Sequence, residues 1–261
     1  MFDKILQNVL IKRPLVHNIT NYVTATDCAN ITLAINSSPI MADEPLEASE
    51  VTRIADALVI NTGTISEKRA EAMLLSGKTA KEKGIPVILD PVGAGVSKFR
   101  TGMINKIKSE IKPDIIRMNV SELKSICLDM KNISGVDAVD NDDIESVISL
   151  ATQSANETNA VIGISGVCDI ITDGSRVALS KGGHEMMRKI TGMGCMLSSV
   201  IGAYAGANTD DLFTATVCAF GIFGKCGRDA YNDGIGIGTY KVNFFDEISI
   251  ANAEGIEIEY R

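Results

Sequence analysis

The sequence predicts an α/β fold with a mainly parallel central sheet and helices on both of its faces. Three observations predict it. Short apolar runs alternate with segments of helical periodicity along the middle of the chain. The apolar runs are hydrophobic at consecutive positions, which suits strands covered on both sides. No repeat, linker or low-complexity tract breaks the pattern, so residues 1–261 read as one domain without a separate lid.

The elements follow in order. Met1 to Ile11 reads as an amphipathic helix with Asp3 and Lys4 inside it, and not as an export signal. Ala57 to Ile60 is a strand, and Ser66 to Lys83 is a helix that Ser66 caps. Pro86 to Asp90 is a second strand, stopped by Pro91. A helix around Gly102 to Ile111 leads to the strand Asp114 to Arg117 and the helix Ser121 to Met130. Asp142 to Asn156 is helical, and Ala160 to Ile164 is a buried strand. Ile170 to Thr172 and Val177 to Leu179 form a hairpin through the Asp173-Gly174 turn. Gly194 to Ala205 and Asp210 to Asn232 are apolar helices. Sheets of this kind bind ligands beyond the C-terminal ends of their strands. That rule directs attention to Asn61 to Gly63, Asp90-Pro91, Arg117 to Glu122, and Ser165-Gly166.

Composition removes several function classes. The net charge is −8 with no basic cluster, so nucleic acid, which needs a positive stripe to displace counterions, is not the partner. No run approaches the ~18 apolar residues that span a bilayer. The six cysteines form no C-x-x-C pair and the histidines number two, which leaves a zinc site short of ligands. Free thiols without an export signal point to the cytoplasm, where the sequons at Asn18, Asn30 and Asn132 are chance matches. Two glycine motifs are decoys. Ser76-Gly77-Lys78-Thr79 ends like a P-loop, but Ala72 replaces its first glycine and the segment is helical. Gly234, Gly236 and Gly238 are followed by Thr239 where a dinucleotide fingerprint needs glycine.

Four segments carry candidate chemistry. In Lys189 to Ser199, Gly192 and Gly194 allow close backbone approach, and a helix follows at once. Its first-turn amides make an anion site for a transferring phosphoryl group, and the helix dipole is expected to lower the Cys195 thiol pKa. A tight turn with a small buried cysteine reads equally well. In Asn119 to Glu122, the Glu122 carboxylate could organise water around Mg²⁺, or the segment could simply cap a helix. Arg117 at the preceding strand end could clamp phosphate. Asp90 in Leu89 to Gly95 suits metal or water contacts, or merely an Asp-Pro turn. Asn21 and Met41 could hold a neutral heterocycle, although Met41 also reads as core filler.

HNITN, SPIM, INTGT, LDPVGAG, NVSE, ISG and TGMGC occur in this order between Pro14 and Phe245. Together they resemble the hydroxyethylthiazole kinase family, within the ribokinase-like fold. The resemblance implies MgATP-dependent phosphorylation of 4-methyl-5-(2-hydroxyethyl)thiazole, which salvages the thiazole half of thiamine. It implies that Asn21 and Met41 contact the thiazole and that Gly192 lies beside its hydroxyl. Arg117 and Ser165 would contact ATP, with Asn119 counted beside them, and Asp90 and Glu122 would handle Mg²⁺ through water. Cys195 occupies the position where most ribokinase-like enzymes place an aspartate base, so Cys195, Gly192 and Gly194 form the expected catalytic group. The family is trimeric, with pockets between subunits. The family loop usually reads Gly-Thr-Gly-Cys, and Met193 departs from it. Ser165 stands where threonine is common.

Phosphoryl transfer passes through a loose transition state, so positioning and charge neutralisation dominate. Cys195 either receives the hydroxyl proton or only shapes the loop. The alternatives are another small-alcohol kinase of the same fold, an ATP-dependent dehydratase of hydrated nicotinamide nucleotides, and a non-catalytic nucleotide-binding module. The dehydratases place aspartate where Cys195 stands.

Overall fold

The computed structural model describes residues 1–128 and 143–261. Nine strands among them form one sheet in the order β2-β1-β3-β4-β5-β6-β7-β8-β9. These are β1 Leu15–Ile19, β2 Ser38–Ile40, β3 Ala57–Asn61, β4 Val87–Asp90, β5 Ile115–Asn119, β6 Val161–Ser165, β7 Asp169–Thr172, β8 Val177–Ser180 and β9 Ile258–Tyr260. From β2 to β6 all neighbours are parallel, and β7, β8 and β9 continue antiparallel.

Helices cover both faces. On one lie α1 Phe2–Lys12, α2 Ala25–Ala34, α8 Met193–Ala207, α9 Leu212–Asp229 and α10 Ile237–Ser249. On the other lie α3 Pro45–Ile54, α4 Glu67–Lys83, α5 Lys98–Ile111, α6 Val120–Leu128 and α7 Ile144–Thr158. Successive strand residues point to opposite faces, so one strand feeds two cores. In β3, Ala57 and Val59 join the first core while Leu58 and Ile60 join the second. This explains why the central strands are apolar at every position. It also confirms the sequence reading of a parallel sheet covered on both faces.

The expected strands at 57–60, 86–90, 114–117 and 160–164 and the hairpin fall where the sequence places them. Ser66 caps α4 by accepting from the Arg69 amide, and the P-loop decoy lies inside that helix. Helix α5 begins at Lys98, earlier than expected, because the Ser97 hydroxyl caps the Arg100 amide. Helix α8 starts at Met193 and runs to Ala207, and α9 is shorter than the expected 210–232 span. Met130, Asn132 and Asp142 lie outside the described residues. Strands β1, β2 and β9 and helices α2, α3 and α10 carry no clear sequence mark. In β1 the reason is chemical: its buried positions include His17 and Asn18. The His17 ring is held by Thr52 Oγ1 at 2.9 Å and the Ala42 carbonyl at 2.8 Å.

Helix α8 packs across the middle of the sheet, against β1, β3 and β4. Its approach depends on Gly202, where a Cβ would stand 2.6 Å from Val59 Cγ2 and 3.1 Å from Val16 Cγ1. Gly202→Ala is therefore expected to destabilise the protein by about 1–2 kcal/mol, overpacking outweighing the gain in helix propensity. Gly102 in α5 has open space around its added Cβ. Gly102→Ala is expected to stabilise by roughly 0.5–1 kcal/mol. Urea unfolding of the two variants reads both signs, and a neutral or stabilising Gly202→Ala would contradict the packing argument.

Candidate active site

Parallel pairing brings the ends of several strands level. Asn61 of β3 stands beside Asp90 of β4, and Asn119 of β5 beside Ser165 of β6. The start of α8 lies against these ends, because Gly202 and its neighbours press that helix onto the sheet.

Asp90 is fully buried and sits at the centre of a network. Ser198 Oγ donates to its Oδ2 at 2.7 Å, and Asn61 Nδ2 donates to the same oxygen at 2.9 Å. Arg117 Nη1 stands 3.5 Å from Oδ1. Burial pushes the Asp90 carboxyl above its ordinary pKa, and Arg117, Ser198 and Asn61 pull it back. Arg117 also donates from Nη2 to Ser165 Oγ at 2.6 Å. Its Nε is buried without a hydrogen-bond partner. That leaves a donor whose desolvation an incoming anion would offset.

Cys195 sits in the first turn of α8 and is half-buried. Asn21 Nδ2 approaches its sulfur at 3.3 Å and Asn61 Nδ2 at 3.2 Å. Both amides are oriented by backbone groups. The Thr24 amide donates to Asn21 Oδ1 at 3.1 Å, and the Gly63 amide donates to Asn61 Oδ1 at 2.9 Å. Asn21 Nδ2 also donates to Asn61 Oδ1 at 3.1 Å, which closes the ring of contacts. The expectation of a lowered thiol pKa is corrected. Burial, and then the Asp90 charge, raise it, and the contacts with Thr24 and Asn61 do not offset them.

The glycines have a more local purpose than ligand approach alone. Gly192 takes φ +88, and a Cβ there would stand 2.7 Å from Thr24 Cγ2. At Gly194 a Cβ would stand 2.4 Å from Arg117 Nη1, so this glycine lets the guanidinium lie directly against the helix start. The first-turn amides of α8 have no acceptor within the helix. With Arg117 beneath them, they form a compact set of anion donors.

Glu122 and Asn119 cap α6 reciprocally. The Asn119 amide donates to Glu122 Oε2 and the Glu122 amide donates to Asn119 Oδ1, both at 2.9 Å. The Gly93 amide donates to Glu122 Oε1 at 3.0 Å, which ties the loop after β4 to α6. Burial and then the Asp90 charge raise the Glu122 pKa. The two carboxylates are therefore electrostatically coupled. Met41 follows β2 and is exposed, at 39%.

A cavity of about 640 Å³ opens beside this network, lined among others by Arg117, Ser165, Asp169, His184, Met193 and Gly194. The His184 ring stacks on Tyr231 with centroids 3.8 Å apart. No group of three or more His, Cys, Asp or Glu able to hold a metal occurs among the described residues. Nor does any described helix have the length and apolarity to cross a membrane.

The structure thus gathers Asn21, Asp90, Arg117, Ser165, Gly194 and Cys195 at one place. Two members have no assigned role in the sequence reading. Asn61 lies in a strand-end segment that the reading singles out without giving it a task. Ser198 lies one helical turn after Gly194 and so on the same face of α8, a spacing visible in the sequence.

Asp169 gives a test of the cavity. Burial raises its pKa from 3.8 to about 7, against the pull of the Gly166 amide and Arg117. Between those values the folded protein holds a proton that the unfolded chain releases. Its contribution is thus complete below the ordinary pKa and is lost as pH rises through about 7. Asp169→Asn is expected to flatten this fall and to be more stable than the parent by about 1–2 kcal/mol at alkaline pH. Urea unfolding at acid and alkaline pH measures it, and parallel pH dependences would refute the assignment.

A sequence profile described as the Hydroxyethylthiazole kinase family matches residues 6–254. A hydroxyethylthiazole kinase of Clostridium botulinum (strain Alaska E43 / Type E3) is 46% identical, over 99% of this chain and 94% of that protein. One of Thermoanaerobacter pseudethanolicus is 46% identical over 98% of this chain and 97% of its own length. The solved structure of a hydroxyethylthiazole kinase protein from Pyrococcus horikoshii OT3 superposes with a TM-score of 0.90 at 32% identity, covering 100% of this chain and 98% of that one. The pyridoxal kinase of Staphylococcus aureus in complex with ADP shares the fold, with a TM-score of 0.67 at 13% identity over 95% of this chain and 97% of its own. The α/β architecture is ribokinase-like, and the chain belongs to the hydroxyethylthiazole kinase family.

Proposed function

We propose that this protein transfers the γ-phosphoryl group of ATP to the hydroxyl of 4-methyl-5-(2-hydroxyethyl)thiazole, the salvage step for the thiazole half of thiamine. One observation carries the reading. The amides at the start of α8, with Arg117 against Gly194, adjoin the Asn21–Cys195 contact, so the anion donors and the side chains assigned to the thiazole meet at one edge.

Residues 1–261 act as a single kinase domain in this reading. Arg117 and Ser165 hold the triphosphate in the cavity, and Asn119 sets the turn beside them. Asn21 and Met41 hold the thiazole, with Gly192 next to its hydroxyl. Asp90 and Glu122 fit a hard divalent cation held through water. The two carboxylates lie close enough for the Asp90 charge to raise the Glu122 pKa, a repulsion that a cation between them would relieve, and the remaining ligands of Mg²⁺ are ordinarily water and phosphate. When bound with ATP, Mg²⁺ would neutralise phosphate charge.

The chain's own groups do the rest. The amides of Met193, Gly194 and Cys195 and the Arg117 guanidinium receive the charge of the transferring group. Asn61 and Ser198 keep Asp90 in place. The raised pKa keeps Cys195 a neutral thiol whose sulfur accepts from two amides, so it is poorly placed to take a proton. Gly192, Gly194 and Cys195 thus form the reacting loop, with Cys195 shaping it and the alcohol proton leaving late to phosphate or water. Exposed Met41, Tyr22 and Leu46 suit a homotrimer whose neighbouring subunit covers the acceptor. The six free cysteines suit the reducing cytoplasm.

Phosphorylation assays with MgATP and a panel of alcohols test the assignment. Turnover is expected with the thiazole alcohol, and an inert thiazole alcohol beside an active pyridoxal or pyrimidine would overturn it. Arg117→Lys should lower kcat/KM by about 10²-fold, since an ammonium cannot hold Asp90, Ser165 and phosphate together. Cys195→Ser should keep the shape of the pH–rate profile near neutrality. A lost limb in that profile would restore the thiol as the base.

A further inference from the structure

Strands β2, β1 and β3 are neighbours, and one side chain touches the loops that leave all three. Arg69, in the first turn of α4, donates from Nε to Asp43 Oδ2 at 2.6 Å, in the loop after β2. Its Nη1 donates to the Thr64 carbonyl at 3.1 Å and to Thr64 Oγ1 at 2.6 Å, in the loop after β3. Its guanidinium carbon stands 5.6 Å from the ring centroid of Tyr22, in the loop after β1. The Tyr22 amide donates to the same Thr64 hydroxyl at 3.3 Å, so that oxygen joins two loops.

Each of these contacts lies within three residues of a group on the acceptor side of the site. Tyr22 follows Asn21, Asp43 is two residues after Met41, and Thr64 is three residues after Asn61, which the amide of the intervening Gly63 orients. The first turn of α4 already carries Glu67 to complement the helix dipole, and Arg69 in the same turn directs its guanidinium away from the helix onto three loops. The neighbouring Lys68 side chain is 71% exposed, whereas that of Arg69 is 21% exposed, although its partner Asp43 is itself 46% exposed. Only a planar guanidinium reaches Asp43 and Thr64 in different directions at once, and an ammonium would have to choose.

We propose that Arg69 is a positioning residue for the acceptor half of the site, fixing the separation of Asn21, Met41 and Asn61 through Tyr22, Asp43 and Thr64. This rests on the assignment of that half to the thiazole alcohol. Arg69 acts through its neighbours, so its removal should weaken acceptor binding and leave nucleotide binding alone.

The test is steady-state kinetics on the full chain, varying the thiazole alcohol and ATP separately. Arg69→Ala should raise the acceptor KM about tenfold while the ATP KM stays within about twofold. Arg69→Lys and Asp43→Asn, which each keep part of the strap, should fall between. An unchanged acceptor KM in Arg69→Ala would overturn the inference. So would a fall in kcat with both KM values fixed, which reports only less folded enzyme. A parent enzyme inert toward the thiazole alcohol would overturn the acceptor assignment and this inference with it, and that outcome is read before any variant is made.

Discussion

A carboxylate with no solvent contact is expensive unless its surroundings repay the lost hydration, and Asp90 has that position at the end of β4. Its partners come from three different elements: Asn61 from β3, Arg117 from β5 and Ser198 from α8. Each partner is in turn committed elsewhere. Asn61 faces the cysteine and Asn21, and Arg117 faces Ser165 and the glycine loop. Satisfying one buried carboxylate therefore aligns the strand ends, the helix start, and the Asn21 and Cys195 side chains together. One donor in this network, the Arg117 Nε, is left without a partner, and that is where the arrangement stays costly.

The same economy governs the loop before α8. Gly194 is small because Arg117 occupies the space a side chain would take, and Gly192 is small because Thr24 does. A guanidinium is thus brought against a helix end, and both sets of donors are held in place by the packing around them. Preorganisation of this sort is what transferring phosphoryl groups require, since the protein has little covalent chemistry to perform.

Much of this was legible in the sequence. The central strands announced themselves because each serves two cores and is apolar throughout, as Ala57 to Ile60 is. The glycine loop and Asp90 could be found from strand ends and turn chemistry. What could not be read was pairing in space. Asn61 is an ordinary asparagine until β3 is set beside β4, and His17 makes β1 look polar until Thr52 and Ala42 are folded over it. The acidity of Cys195 differs from the expectation because the helix dipole is a local effect. Burial and the Asp90 charge, which oppose it, come from residues far along the chain. Arg69 is hidden for a similar reason: Thr64 is five residues away, but Asp43 and Tyr22 lie in loops far from it in sequence.

Helix α8 begins at the free amides of Met193 to Cys195, and most of its length is buried against the sheet. Gly202 presses on Val16 and Val59, and Gly206 packs on the backbone at Asp56. The donor loop is therefore one end of a core element and not a surface flap. Its amides should exchange with solvent only through openings that also expose the middle of the sheet, in one cooperative unit. In such a protein the cost of distorting the reacting loop is the cost of opening the core. Distortion of the loop before α8 is therefore tied to the packing of the core in a way that the loops after β1, β2 and β3 are not.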